Sequence, residues 1–153
     1  MEIINDMFSE NNENTSSEKI IDKVRNGNWN DIFKGICCIK ENNIVLNYIY
    51  FKYIANDETY SYIMNHITNN IDQILQTNNE FSVHVNMKSL TIVDVDKHKE
   101  FVQQISLFLK DNYPDKLEKC YVYNAPFMFS NFFNIVSMFI DKETQKKIEL
   151  VNK

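Results

Sequence analysis

The stretch YPDKLEKCYVYNAPFMFSNFFNIVSMFIDKETQKKI, Tyr113 to Ile148, decides the reading of this chain. Pro114 begins a new segment, and Leu117 is placed to dock it. Cys120 to Tyr123 is a short β-favouring run. Pro126 carries no backbone N–H and cannot sit inside a central ladder, so the strand ends at Asn124 or Ala125. Ser130 is then placed to cap a helix over 130–140. Phe132, Phe133, Ile135, Val136, Met138, Phe139 and Ile140 make that helix apolar nearly all round, so it needs burial on more than one side, or a greasy ligand or membrane. Asp141 to Thr144 reads as a polar helical turn, and Ile148 and Leu150 as the start of a last strand.

The same pattern extends upstream. Phe81, Val83, Val85 and Met87 alternate with Ser82, His84 and Asn86, the two-residue period of a strand. Asp94 and Asp96 precede a helix over about 97–110, with Asp96 as its cap and Phe101, Ile105, Phe108 and Leu109 as its apolar face. Asp57 is placed to cap a helix over about 58–76, whose stripe runs Tyr60, Ile63, Met64, Ile67, Ile71, Ile74, Leu75. Two β-rich runs, Ile36 to Ile39 and Ile44 to Phe51, flank the polar turn Glu41–Asn43 and read as a hairpin. Residues 18–34 read as a helical remnant stopped near Gly27, with Trp29 and Phe33 packing it onto the core. Residues 1–17 are polar and acidic towards their end and read as a disordered or flexible arm. The order over 35–153 is β-β-α-β-α-β-α-β, an α/β domain with a mixed, mostly parallel sheet flanked by helices. Phe81–Met87 and Cys120–Tyr123 are expected side by side at its centre.

Composition limits the function. The 153 residues carry a formal net charge of −5, and each short lysine cluster has acidic residues beside it, which excludes nucleic acid as the expected partner. Three cysteines, Cys37, Cys38 and Cys120, form no secreted disulfide framework, and the chain opens without a signal-peptide pattern. No apolar run reaches the roughly 20 residues that span a bilayer. The expectation is a cytoplasmic protein, at most peripheral at membranes. His66, His84 and His98 lie on separate elements without metal-ligand spacing. Asp94 and Asp96 do not make a calcium loop, and two glycines cannot furnish a phosphate-binding fingerprint. A Cys120–His84 pair is conceivable on neighbouring strands, but nothing supplies an orienting residue. No catalytic residue, metal or cofactor is therefore expected, and the chain is read as not an enzyme.

Tyr113 to Ile148 also resembles the signature of CRAL-TRIO (Sec14-like) domains. The matching positions are Tyr113 and Pro114, then Leu117 and the strand, then Asn124, Ala125 and Pro126. Phe129 and the apolar helix follow, then Glu143 and Thr144, then Lys147 and Ile148 opening a strand. Phe81–Thr91 resembles the family's central strand, with Asn86 where the family carries aspartate. The resemblance implies noncatalytic binding, with transfer between membranes, of a lipid or small hydrophobic ligand in an apolar pocket. The helix over 130–140 resembles the family's movable gate. The residues expected to line the pocket are Phe81, Val83 and Val85 on one strand and Tyr121 and Tyr123 on another. Phe129, Phe132, Phe133, Val136, Phe139 and Ile140 are expected from the gate side. Eight tyrosines and eleven phenylalanines suit such a lining, although they also suit a filled core. The alternative is a protein-interaction module, binding a partner or a second copy, that keeps the fold and has lost the cavity.

Overall fold

The computed structural model describes Ile4, Phe8 and residues 17–151. At its centre is a five-stranded sheet in the order β1-β2-β3-β4-β5. The strands are β1 Cys37–Lys40, β2 Asn43–Asn47, β3 Phe81–Asn86, β4 Leu117–Tyr123 and β5 Ile148–Val151. β1 and β2 are antiparallel, and every later pairing is parallel. This is the mixed, mostly parallel sheet read from the sequence, with β3 and β4 adjacent. The hairpin closes through Glu41 and Asn42 without glycine: Glu41 takes φ 58° itself, and Asn43 Nδ2 donates to Lys40 O at 3.0 Å.

Eight helical segments surround the sheet among the described residues from 17 onward: α1 Ser17–Arg25, α2 Trp29–Ile36, α3 Tyr48–Ile54, α4 Tyr60–Leu75, α5 Ile92–Lys97, α6 Lys99–Asn112, α7 Phe129–Ser137 and α8 Lys142–Lys146. Parallel neighbours in sequential order require right-handed crossovers, which keep the connecting helices on one side. The core follows that layout. Ile63, Ile67, Ile71 and Ile74 of α4 pack with Ile44 and Phe81 of the sheet, and Ile20 of α1 and Ile32 of α2 join the same cluster. The helical stretch at 18–34 thus shares a core with the sheet. On the opposite face, Ile4 and Phe8 pack on Val45 and Tyr123. Both belong to the stretch expected to be a flexible arm, the rest of which, apart from Ser17, lies outside the described residues.

Several local expectations are corrected. The second hairpin strand stops at Asn47, and Tyr48–Ile54 is helical despite its β-favouring composition. Burial decides this: Tyr50 and Ile54 enter the α1–α2–α4 core as helix neighbours four apart. Ile32, not Trp29, anchors α2, since Trp29 is exposed. Asn56 rather than Asp57 organises the start of α4, its Oδ1 accepting from the Glu58 and Thr59 amides. Asp96 caps nothing; Thr91 and Asp94 form a reciprocal capping box at α5 instead. α7 has no side-chain cap from Ser130 and ends at Ser137, short of Ile140. Asp141 caps α8, accepting from the Thr144 amide at 2.8 Å.

Candidate functional site: an apolar cavity under the crossover helices

β3 shows where the site lies. In a central parallel strand both faces are normally filled and apolar. Here Ser82, His84 and Asn86 on one face are buried, while Val83 and Val85 on the other are only half-buried. The exposed face is the one covered by helices, so the accessible surface is internal. Val83 and Val85 line a cavity of about 260 Å³ together with Leu46 of β2, Cys120 and Val122 of β4, and Ile148 of β5. Helices α3, α6 and α7 complete the wall through Phe51, Phe101, Ile105, Phe129, Phe133 and Val136. A second lobe of about 440 Å³ shares Leu46, Val83, Ile105, Cys120, Val136 and Ile148 and extends towards Phe81, Tyr113 and Leu117. The larger lobe falls within the roughly 300–1,000 Å³ of small-molecule sites, and the smaller lies just below it.

The two lobes differ at their ends. The larger opens past charged and polar groups, Lys110, Asp115, Asp141, Thr144 and Lys147. Lys147 Nζ donates to Leu117 O at 2.7 Å, which ties the start of β5 to β4. The smaller extends from the sheet face to the C-terminal ends of β2 and β3, where Asn47, Tyr48, Met87 and Leu90 wall it. Open α/β sheets place ligands at that edge. Asp94 also reaches this lobe, paired with Lys52 at 3.4 Å. Burial opposes its charge, but Tyr48, the Thr91 amide and Lys52 outweigh that and hold its carboxyl below the ordinary value.

Of the residues expected to line a pocket, Val83, Val85, Phe129, Phe132, Phe133 and Val136 reach the first lobe. Phe81 and Ile140 reach the second. Tyr121 and Tyr123 do not. The β3–β4 register sets His84 opposite Tyr121 and Val83 opposite Cys120, so the two tyrosines project from the far face of the sheet. There His84 Nδ1 meets Tyr123 Oη at 2.8 Å and His84 Nε2 meets Asn43 Oδ1 at 3.0 Å, and the Tyr123 ring meets Phe8 edge to face. Phe139 lies past the end of α7 and lines neither lobe. Wall residues Leu46, Phe51, Leu90 and Phe101 were not singled out as lining from the sequence, where each reads as ordinary core.

The register also separates the conceivable Cys120–His84 pair, placing the thiol in the cavity wall and the imidazole on the far face. Burial pushes Cys120 up to about 12, which leaves it a thiol rather than a nucleophile. Among the described residues no group of three or more His, Cys, Asp or Glu side chains could hold a metal ion. No helix among them is long and apolar enough to cross a membrane.

The signature residues have structural roles. Tyr113 Oη donates to Asp72 Oδ1 at 2.6 Å, locking the end of α6 to α4. Asn124 adopts φ 56° and donates from Nδ2 to Asn86 Oδ1 at 2.9 Å, rather than to backbone. Asn86 Oδ1 also accepts from the Lys88 amide at 3.1 Å, so one carboxamide joins the turns after β3 and β4. Ala125 and Pro126 then lead into α7, whose Phe129 amide donates to Pro126 O.

Known proteins carry the same architecture. Solved Sfh5 superposes with a TM-score of 0.64 at 17% identity, over 75% of this chain and 46% of that one. The Sec14 cytosolic factor of Schizosaccharomyces pombe is 34% identical over 67 residues, 44% of this chain and 23% of that protein. The SEC14 cytosolic factor of Yarrowia lipolytica is 29% identical over 66 residues, 43% of this chain and 13% of that protein. The aligned stretches thus span less than a quarter of either curated relative. Residues 42–153 match the CRAL/TRIO domain along the sheet and helices that enclose the cavity, and the chain belongs to that family.

Proposed function

We propose that this chain binds a lipid or small hydrophobic molecule noncatalytically in the cavity between the sheet and α3, α6 and α7. The observation that carries this reading is the half-buried state of Val83 and Val85 at the centre of the sheet, beneath helices that leave them uncovered. A filled core would have no reason to spare those side chains, since each half-buried valine forgoes part of the roughly 1.5–3 kcal/mol that full burial of such a side chain supplies. An apolar guest restores that contact. Family membership is consistent with a lipid-binding or lipid-transfer role. Phe127 is 90% exposed just before α7, and Ile92 and Val93 are exposed on α5, which touches α7. These apolar groups beside the wall suit transient contact with a membrane during exchange. They equally suit a protein partner, the second reading.

Val136 faces both lobes, so Val136→Trp tests the binding reading. Wild-type protein purified from cells should yield an extractable apolar ligand by mass spectrometry of an organic extract, or bind Nile red when stripped. V136W should lose both while its circular dichroism stays native. Wild type that carries no ligand and takes up no probe would sink the lipid reading. Self-association lost in Phe133→Glu would then favour the interaction module.

A further inference from the structure

One part of the cavity wall hangs between two fixed points. The Met87 amide donates to Tyr123 O at 2.9 Å, which ties the end of β3 to β4. Further on, His98 Nδ1 meets Tyr60 Oη of α4 at 2.6 Å. The stretch between them, residues 88–97, contains the six-residue α5, too short to persist on helix propensity alone. α5 buries only Asp94 and Val95, while Ile92 and Val93 are exposed. Leu90, Asp94 and Val95 of this stretch wall the smaller lobe, and none of its residues lines the larger.

Both ends of the stretch are jointed. Ser89 takes φ 78°, in the left-handed region that glycine favours and serine seldom adopts. His98, at φ −102° and ψ 12°, interrupts the helical path between α5 and α6. Hinge motions are absorbed at such positions, at the ends of elements. Across the joints lies one fastening from α3. Lys52 Nζ donates to Ser89 O at 2.8 Å and pairs with Asp94 Oδ2 at 3.4 Å. The same carboxylate oxygen accepts from the Thr91 amide at 3.1 Å, so Asp94 both caps α5 and receives the lysine. Tyr48, one helical turn before Lys52, also hydrogen-bonds Asp94. The side chains of Lys52 and Asp94 are 24% and 12% exposed, so water and salt screen the pair less than an open surface pair.

We infer that residues 89–97 form a hinged flap over the smaller lobe, and that Lys52 is the bolt that sets how often the flap opens. Lys52 lines neither lobe, so it is a positioning residue that acts through Ser89 and Asp94. Opening withdraws Leu90 and Val95 and uncovers the apolar wall behind them. This rests on the binding reading above and adds a second way into the cavity. That way is distinct from the opening past Lys110 and Lys147 and from movement of α7.

The test is Lys52→Met, which keeps the aliphatic stem and removes the charge, with Lys52→Arg as its conservative counterpart. Amide hydrogen exchange over residues 89–97 should speed about five- to thirtyfold in K52M, a factor between those of an exposed ion pair and a buried charged hydrogen bond. K52R should return it close to wild type, and exchange over α7 should stay unchanged in both. In stopped flow, Nile red should enter and leave K52M faster by a similar factor. Its equilibrium affinity should change little, because the bolt fastens the empty and the occupied cavity alike. Asp94→Asn, which keeps a capping oxygen for the Thr91 amide, should act in the same direction. Unchanged exchange over 89–97 in K52M, or equal acceleration there and over α7, would overturn the flap. Faster amide exchange with unchanged Nile red rates would overturn it as a way in. Wild type that takes up no Nile red would remove the binding reading, and exchange over 89–97 would still decide the flap.

Discussion

The Asn124–Asn86 link joins the turns after β3 and β4, and its contribution to stability has two separable parts. Asn124→Ala removes a 2.9 Å side-chain hydrogen bond. Asn86 is buried but keeps the Lys88 amide as a second partner, so the loss is an ordinary net bond of about 0.5–1.5 kcal/mol rather than a stranded acceptor. Position 124 also sits at φ 56°. Asparagine tolerates that region, whereas alanine pays about 1 kcal/mol or slightly more. Together these give about 2 kcal/mol. For a domain of this size that lowers the melting temperature by about 4–8 °C. Scanning calorimetry with urea titrations reads it directly. Asn124→Gly relieves the backbone term and keeps only the lost bond, so it should fall between wild type and N124A. An N124A protein that melts with wild type would refute the pairing, and N124G melting below N124A would refute the strain term.

Further outcomes are expected elsewhere in the fold. Gly35 lies in α2 against the buried ring of Tyr50, and an added Cβ would overlap three ring atoms. Gly35→Ala should therefore destabilise by about 1–2 kcal/mol in urea, because overpacking exceeds the helix-propensity gain of about 1 kcal/mol; a variant more stable than wild type would contradict this. Burial lowers His84 from 6.5 to about 4. The unfolded chain takes up that proton first as the pH falls, so the His84 contribution is complete above pH 6.5 and declines down to about pH 4. His84→Gln should flatten that part of the stability profile, and an unchanged slope would show the imidazole is not responsible.

Much of the architecture was legible because it rests on local signals. The alternation of Phe81–Met87, the stripe of the helix at 60–75 and the stop at Pro126 each predict one element without reference to the others. What failed depended on tertiary context. Tyr48–Ile54 has the composition of a strand, and only its burial against α1 and α2 makes it a helix. Tyr121 and Tyr123 read as lining because they are large and aromatic. Their face is set by the register with β3, which no periodicity within β4 reveals. The cavity-lining Asn47 and His98 lie about 50 residues apart in the chain, and each alone looks like a cap or a surface histidine.

The sequential strand order also bears on how the chain can be made. Every strand pairs with its predecessor in the sequence. No strand has to wait for a later one before it finds a neighbour, so the sheet can grow from one edge as synthesis proceeds. β5 joins after β4, and it carries Ile148 into the wall shared by both lobes. The hairpin, β3 and β4 can thus be paired while the lumen still gapes at its final side. The wall at Ile148 is completed only when β5 joins β4, when an apolar molecule already at hand could be enclosed rather than admitted.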